Sequence, residues 1–385
     1  MPAFEKSEFQ GRLAKLRALM AKEGIDALLV LSEPNIFYLT GYEGFSDYVP
    51  QVALITQDGG EPDLMLREMD VACAVPTCWM DGKRLLAYDE TYIGTKERTP
   101  WEPIAAHVAK HVKSKRIAVE FSAKGFGVKE HAELLRHLKL DAFLDGDGLV
   151  SRLKRHKSAA ELRYIEEAGT IVDRAMTEGV AKIAVGVREA DVAATILHAL
   201  TAGTEAVPGG PGRMPTMPVA PMATAPHLKW SDARYKAGSQ TNFEIGGFRH
   251  RYCCGLSRTA YLGTPGKRLK ELHAGVLEGW HAGFAATKPG NTCGHIHDAF
   301  WKAFAPHKIR KESRIGYSIG IDWNDGGASI QPNDPTELVP GMTLHLIVGI
   351  WEPEDGYVFS ETLRIEGKGA RSMSKVPREI LVRPT

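Results

Sequence analysis

The stretch NFEIGGFRHRYCCGLSRT, from Asn242 to Thr259, organises the second half of this 385-residue sequence. Phe243 and Ile245 flank Glu244 on a predicted buried strand. Burying a carboxylate is costly unless the group is paired, coordinated or protonated. Glu244 is therefore a candidate general base or nucleophile with a raised pKa. The alternative is a salt bridge within the sheet, to Arg249, Arg251 or Arg258.

Two further pairs of residues in this stretch could carry chemistry. His250 and Tyr252 have the same parity as Glu244, so on an unbroken strand they would share its face and contact a substrate. Cys253 and Cys254 could supply a thiol nucleophile, but cysteine is also common as a small buried apolar residue. We predict substrate contacts from His250 and Tyr252 and favour the buried interpretation for the two thiols.

The composition is typical of an ordinary globular protein with 43% hydrophobic and 25% charged residues. Lysine plus arginine (48) nearly balances aspartate plus glutamate (47), which argues against a nucleic-acid or membrane partner. The five cysteines form no zinc spacing, and an odd, scattered set indicates a reducing compartment. No signal peptide or membrane-spanning run is recognisable. These features predict a cytoplasmic protein.

Strands and helices alternate in the first part of the chain, which predicts an α/β domain over residues 1–154. Phe9 to Glu23 has leucines at helical spacing, and Ala27 to Leu31 is a short apolar strand. Further strands and helical patterns follow at Val52–Thr56, Pro103–Val112, Arg116–Glu120 and Lys129–Leu138.

Residues 155–385 form the second predicted domain. Ser158 and Glu161, three residues apart, form a capping box, so a long helix begins there and runs to about Lys182. A Pro/Gly/Met-rich stretch from Val207 to Pro226 is too irregular for a helix or strand, and a loop that long is usually functional or disordered. Further helices are predicted at Glu189–Thr201, Arg268–Thr287 and Cys293–Phe304, with strands after Gly238 and towards the end.

Three segments resemble the creatinase and methionine aminopeptidase superfamily, whose fold is called pita-bread. Asn242–Thr259 is similar to its strand pair with two metal-binding aspartates, and Gly316–Gly320 (GYSIG) to its Gly-His-Gly-Ile-Gly stretch. Pro340–Trp351 is similar to its segment with a metal-binding glutamate. The resemblance implies a two-domain α/β (α+β) subunit with a smaller creatinase-type N-terminal domain, and it implies a homodimer.

The resemblance also implies which residues take the metal-ligand positions of the superfamily. These are Glu244, Gly255, Tyr317, Ile347 and Ser360, with Glu361 as the alternative to the last. Hard divalent cations need several anionic oxygens, and a dinuclear site needs a bridging carboxylate. Glycine, isoleucine and tyrosine do not supply these, so the sequence predicts a site without a metal or another cofactor.

Without a metal, catalysis falls to side chains. Ala225–Trp230 resembles the Ala-His-Asn-Pro segment of creatinase, a metal-free relative that uses this histidine for proton transfer. The resemblance implies an acid/base role for His227, and a surface histidine is the alternative. Tyr317 and His345 would point towards the former metal centre and orient the reacting group, or Tyr317 fills the space left by the ions. Glu361 is the last acidic candidate.

The ectoine hydrolases, which open the tetrahydropyrimidine ring of ectoine, are similar over four segments: Pro226–Trp230, Phe243–Gly263, Glu312–Trp323 and Met342–Trp351. The stretch Ile321–Gly326 is shorter than theirs. Within it, Asp322–Asp325 combines an indole with two carboxylates, which suits a small cation or is a plain solvent turn. This composition predicts substrate contacts from Asp322 and Trp323, and the resemblance implies one from Trp230. Arg258 is a candidate for substrate binding or for holding an acidic partner.

These features predict metal-independent hydrolysis of a C–N bond in a small zwitterionic amidine, with ectoine ring opening to N-acetyl-diaminobutyrate as the reaction. The alternatives are a creatinase-like amidinohydrolase acting on a guanidino acid, an Xaa-Pro peptidase-like protein, and an inactive domain that binds peptides or partner proteins. The retained ionisable side chains at positions 227, 244, 250 and 345 favour an enzyme.

Overall fold

Helices and strands alternate through both halves of the computed structural model, which describes residues 2–95 and 97–385. The chain divides into two units, Met1–Leu153 and Lys154–Thr385. Both units mix helices with β-sheet, so the α/β (α+β) prediction is confirmed. None of the described helices is both long and apolar enough to cross a bilayer.

The N-terminal unit is a mixed sheet with helices packed on it. Its helices are α1 (Lys6–Glu23), α2 (Glu33–Thr40), α3 (Val71–Thr77), α4 (Trp101–His111), α5 (Val128–Leu138) and α6 (Leu149–Lys154). Its strands are β1 (Ala27–Val30), β2 (Val52–Thr56), β3 (Asp63–Arg67), β4 (Leu85–Tyr88), β5 (Ile117–Val119) and β6 (Leu144–Asp145). The strand order is β4-β3-β2-β1-β5-β6, and Leu29 of β1 shares a buried core with Ile104 and Val108 of α4.

The C-terminal unit is larger and carries an eight-stranded sheet. Its helices are α7 (Ala159–Lys182), α8 (Glu189–Ala202), α9 (Lys267–Ala286) and α10 (Cys293–Phe304). Its strands are β7 (Gln240–Arg249), β8 (Tyr252–Leu262), β9 (Gly316–Gly320), β10 (Trp323–Ser329), β11 (Thr343–Trp351), β12 (Gly356–Glu366), β13 (Gly369–Ser372) and β14 (Leu381–Arg383). The central order is β10-β9-β11-β12-β8-β14, with β7 paired to β8 and β13 to β12.

The predicted capping box begins α7 as expected. The Glu161 carboxylate accepts the Ser158 backbone N–H at 2.8 Å, and the Ser158 hydroxyl accepts the Glu161 N–H at 3.2 Å. These bonds satisfy backbone donors that the first turn of a helix leaves unpaired. The prediction of a long helix from this point is confirmed.

Helices pack on the side of the C-terminal sheet that faces away from Glu244. A Cβ added to Gly247 would lie 2.1 Å from the Ala168 carbonyl oxygen, so α7 approaches β7 too closely for any side chain there. Trp280 of α9 packs edge-on against Phe359 of β12 at a centroid distance of 5.2 Å. Side chains alternate between the two faces of a strand, so Glu244, three positions from Gly247, faces the side without these helices.

Candidate functional site

A cleft of about 450 Å³ lies over the C-terminal sheet. Glu244 of β7, Tyr317 of β9 and Trp323 of β10 line it, together with His227 of the long loop before β7. A volume of this size is in the range of small-molecule sites. The structure thus brings together four of the residues that the sequence predicted to act on substrate.

Glu244 presents a half-buried carboxylate to this cleft. Burial raises the pKa of Glu244 to about 7, and the nearby positive charge of Arg213 only partly opposes that rise. No lysine, arginine or histidine of the described chain lies within ion-pair distance of this carboxylate. The three arginines offered as partners bind elsewhere, since Arg249 pairs with Glu167, Arg251 with Asp322 and Arg258 with Glu361. The salt-bridge alternative was therefore wrong.

Tyr317 is held by a chain of hydrogen bonds behind the cleft wall. Its phenol oxygen accepts the indole N–H of Trp323 at 2.7 Å and lies 3.4 Å from His345 Nδ1. His345 Nε2 lies 2.6 Å from the Ser360 hydroxyl. Complete burial lowers the pKa of His345 to about 3, so this imidazole is neutral at neutral pH. His345, predicted from the sequence to act on substrate, is outside the cleft lining and is connected to it through Tyr317.

Trp323 occupies the centre of the site in an unusual backbone conformation. Its backbone φ angle is 114°. Residues other than glycine rarely adopt such an angle, and those that do are concentrated at functional sites. The indole fills space that two glycines leave open. A Cβ added to Gly246 would lie 2.6 Å from the Trp323 ring, and one added to Gly255 would lie 3.0 Å from it and 3.2 Å from His345.

His227 is exposed on the loop that forms one edge of the cleft. Two arginines that sequence reasoning missed also line the cleft, Arg213 and Arg314. The Arg213 guanidinium lies 5.2 Å from the Trp323 ring centroid, and that of Arg314 lies 4.6 Å from the Tyr317 ring centroid. A signal was available, because Arg213 is the only charged residue in the irregular stretch Val207–Pro226.

The structure does not bring His250 and Tyr252 to the cleft, because the strand of Glu244 ends at Arg249. His250 and Arg251 form the turn between β7 and β8, with φ angles of 45° and 65°. The ring of His250 lies 4.7 Å from that of Tyr164, and the Tyr252 hydroxyl donates to Glu161 at 2.8 Å. The assumption of an unbroken strand was wrong.

Four other predicted residues also lie away from the cleft. Asp322 accepts from Arg251, one of these hydrogen bonds being 2.9 Å long. Trp230 is half-buried outside the lining. Arg258 is fully buried and donates to Glu361 at 2.9 Å as well as to backbone carbonyl groups. The Glu361 carboxylate also accepts hydrogen bonds from Arg378. Glu361 is therefore paired with two arginines and is a structural residue of the sheet.

Both adjacent cysteines are packed in the interior. Cys253 belongs to a small apolar cluster with Phe248, Ile319 and Trp323. Burial raises the pKa of the Cys253 thiol well above its ordinary value, and burial raises the pKa of Cys254 to about 12. A thiol that stays protonated is a poor nucleophile, so the buried interpretation fits both residues.

Known family profiles match both units. The Creatinase/Prolidase N-terminal domain matches residues 12–155, and metallopeptidase family M24 matches residues 163–371. The chain belongs to metallopeptidase family M24. The resemblance drawn from three short segments is thereby confirmed.

Two relatives of this M24 protein are similar over nearly its whole length. An uncharacterized hydrolase/peptidase of Sinorhizobium fredii, y4tM, is 35% identical over 99% of this chain and 98% of its own. The ectoine hydrolase of Halomonas elongata is 33% identical over the same shares. The prolidase from Pyrococcus horikoshii OT3 superposes with a TM-score of 0.80 over 96% of this chain and 100% of that chain, at 22% identity. The pita-bread fold is therefore confirmed, and this M24 protein is a homologue of hydrolases.

One row of paired residues crosses the sheet of this M24 protein and resolves the register of β12. Glu244 pairs with Ser257, Ser257 with Ser360, and Ser360 with Ile347. Directly paired residues share a face, so Ser360 is on the side of Glu244 and Glu361 is on the opposite side. Of the two candidates for the last ligand position, Ser360 therefore faces the site, which explains why Glu361 pairs with arginines instead.

Proposed function

We propose that this M24 protein hydrolyses a C–N bond of a small zwitterionic amidine and that ectoine is its substrate. The observation that carries the proposal is the Glu244 carboxylate, which faces the cleft without an ion-pair partner in the described chain and has a pKa raised by burial to about 7. Such a group is protonated and deprotonated near neutrality, as a catalytic base or nucleophile requires. The full-length similarity to the ectoine hydrolase of Halomonas elongata supports the choice of substrate.

We further infer that the cleft acts without a bound metal ion. Of the five positions that correspond to ligands in the superfamily, only Glu244 carries a carboxylate that faces the site. The space beside Gly255 is filled by the Trp323 indole and the His345 imidazole. Among the described residues of this unit, no three His, Cys, Asp or Glu side chains bring ligand atoms within 4.8 Å of one another. This set does not fit a dinuclear centre, which needs several anionic oxygens.

The charges in the cleft complement a zwitterion. An amidinium cation can pair with Glu244 and lie against the Trp323 ring, since aromatic faces attract cations. A carboxylate on the same molecule can accept from Arg213 or Arg314, both exposed at the cleft wall. Among the described residues, none accepts a hydrogen bond from Arg213. Its guanidinium N–H groups are therefore available to bind a carboxylate in two parallel hydrogen bonds.

The reaction adds one water across the amidinium C–N bond. A Glu244 oxygen attacks the carbon between the two nitrogens, or Glu244 takes a proton from the water that attacks it. The C–N bond then breaks with its electron pair leaving on nitrogen, and His227 gives that nitrogen a proton. In the covalent route, the carbon left on Glu244 is an acyl imidate that still carries the retained nitrogen. Water adds to this carbon, the C–O bond to Glu244 breaks and frees the carboxylate, and an amide remains on the retained nitrogen.

We assign to Tyr317 the stabilisation of the tetrahedral intermediate. Burial raises the pKa of Tyr317 to about 12, so the hydroxyl keeps its proton near neutrality. When His345 Nδ1–H and Trp323 Nε1–H both donate to the phenol oxygen, the hydroxyl hydrogen is left to donate into the cleft. A fixed donor aimed at a developing charge is a strong catalytic device.

The test is incubation of chelator-treated protein with three substrates, namely ectoine, creatine and an Xaa-Pro dipeptide, followed by proton NMR. We expect ring opening of ectoine alone, and loss of that activity in Glu244→Gln. Creatine turnover would indicate the guanidino-acid alternative. Dipeptide cleavage that needs added metal would indicate the peptidase alternative, and either result would overturn the proposal.

A further inference from the structure

Outside the cleft, three side chains of the N-terminal unit converge in a pattern typical of metal sites. Asp63 begins β3, and His107 and His111 lie one turn apart on α4. Asp63 Oδ2 lies 2.9 Å from His107 Nε2, and the two imidazole centroids are 4.1 Å apart. One ligand atom from each residue lies within 4.8 Å of the others, and no other such group occurs in residues 2–95 and 97–385.

Hydrogen bonds already orient two of these side chains as ligands. Arg84 Nη1 donates to Asp63 Oδ1 at 2.8 Å, which leaves Oδ2 directed at the histidines. His111 Nδ1 lies 3.0 Å from the His107 carbonyl oxygen, an acceptor, so Nδ1 carries the proton and the Nε2 lone pair is available. Metal-binding histidines and carboxylates characteristically have such supporting partners, which fix the tautomer and the ring orientation.

The three residues differ in solvent exposure. Asp63 is buried, His107 is half-buried and His111 is exposed. An ion bound here would therefore have protein ligands on one side and water on the other, the arrangement of a three-ligand site with an open fourth position.

We propose that Asp63, His107 and His111 bind one first-row transition-metal ion, with Zn²⁺ as the ion. Two imidazole nitrogens and one carboxylate oxygen suit zinc, nickel or copper, whereas magnesium and calcium take ligand sets made of oxygen. Cross-linking β3 to α4 would stabilise the N-terminal unit, because an ion that binds only the folded state adds its binding free energy to folding.

This site has a practical consequence for the cleft. Purified protein could carry one equivalent of zinc on the N-terminal unit while the cleft of the C-terminal unit contains none. Metal analysis alone would then suggest a metallopeptidase. A variant that removes the N-terminal ligands separates the two cases without touching the proposed catalytic residues.

The test is titration of untagged, chelator-stripped full-length protein with ZnCl₂ by calorimetry, and with CoCl₂ by visible absorption. We expect one equivalent per chain, a rise in thermal midpoint, and cobalt d–d bands of a four-coordinate site. His111→Ala should weaken zinc affinity by about tenfold or more. Because His111 is exposed, this variant should fold, and His198→Ala serves as a matched control on an exposed helix position of the other unit.

Binding lost in His111→Ala and kept in His198→Ala would support the proposal. Absence of stoichiometric binding in the parent protein would overturn it, and so would unchanged affinity in His111→Ala. Ectoine turnover should be equal in the parent and in both variants, so this result is independent of the proposed function.

Discussion

The indole nitrogen of Trp323 donates a hydrogen bond to the phenol oxygen of Tyr317 at 2.7 Å. This bond joins the neighbouring strands β10 and β9, and both rings lie edge-on to His345. The Trp323 indole also lies beside Gly255. Space beside a position that carries a metal-binding aspartate in the superfamily is thus occupied by side chains of this protein. The hydrogen bond orients the two rings relative to one another, and we propose that the tyrosine hydroxyl donates to a bound substrate.

Tyr317→Phe should lower kcat while leaving the fold intact. The change removes the hydroxyl proposed to stabilise the intermediate. Removing one such hydrogen-bond donor typically lowers kcat on the order of 10²-fold. Steady-state kinetics with ectoine measures the effect, and circular dichroism checks the fold. A variant with normal kcat would show that Tyr317 only fills space.

Glu244→Gln should abolish turnover and raise stability in a pH-dependent way. Burial raises the pKa of Glu244 from an ordinary 4.5 to about 7, so the folded state binds more protons than the unfolded state between these values. Stability therefore falls as pH rises through that window, and the cost is fully present above pH about 7. The variant should melt a few degrees higher than the parent at pH about 8 and equally at pH about 4. A melting difference that does not change with pH would contradict this account.

The same group should control the pH dependence of the reaction. Because Glu244 must be deprotonated to attack or to take a proton, kcat/KM should rise with pH and level off above about 7. Initial rates across a series of buffers at constant ionic strength measure this rise of kcat/KM with pH. A limb centred near 4.5 would indicate a carboxylate with an ordinary pKa.

Arg213→Ala should weaken substrate binding more than it slows the chemical step. Hydrogen bonds to charged groups contribute about 1.5–3 kcal/mol, so KM should rise by about tenfold or more. A cyclic amidine without the carboxylate provides the control, because the variant and the parent should treat it alike. An equal rise of KM with both compounds would show that Arg213 does not bind the substrate carboxylate.

Lys311→Met should stabilise the protein near neutral pH. Burial lowers the pKa of Lys311 to about 8, and its ammonium group donates to the Ser313 hydroxyl at 2.8 Å and to the Gly349 carbonyl oxygen at 3.2 Å. The unfolded state binds more protons between pH about 8 and the ordinary 10.5, so the stability of the parent rises over that range. The melting advantage of the variant should therefore shrink from pH about 7 to about 10. An advantage that grows with pH would contradict the assignment.

The sequence predicted much of the fold because its signals were local. The capping box at Ser158 and the helix Cys293–Phe304 were placed correctly from caps and apolar spacing. The turn at His250 was missed because two-residue hairpins favour glycine or asparagine, and here histidine and arginine adopt positive φ angles. No local pattern announces such a turn.

The site was only partly predictable for a similar reason. Glu244 could be found because a carboxylate between apolar neighbours stands out. The choice between Ser360 and Glu361 depended on a strand register that spans four strands and that no single segment encodes. Arg213 reaches the cleft from an irregular loop, whose path depends on tertiary contacts rather than on periodicity.

The most direct test of the central claim is ectoine hydrolysis by chelator-treated protein, followed by proton NMR in parallel with Glu244→Gln. We predict ring opening to N-acetyl-diaminobutyrate by the parent protein at a rate that added Zn²⁺ or Mn²⁺ does not raise, and no product from the variant. Turnover that appears only on adding metal, or that survives in Glu244→Gln, would contradict a metal-independent reaction carried by this carboxylate.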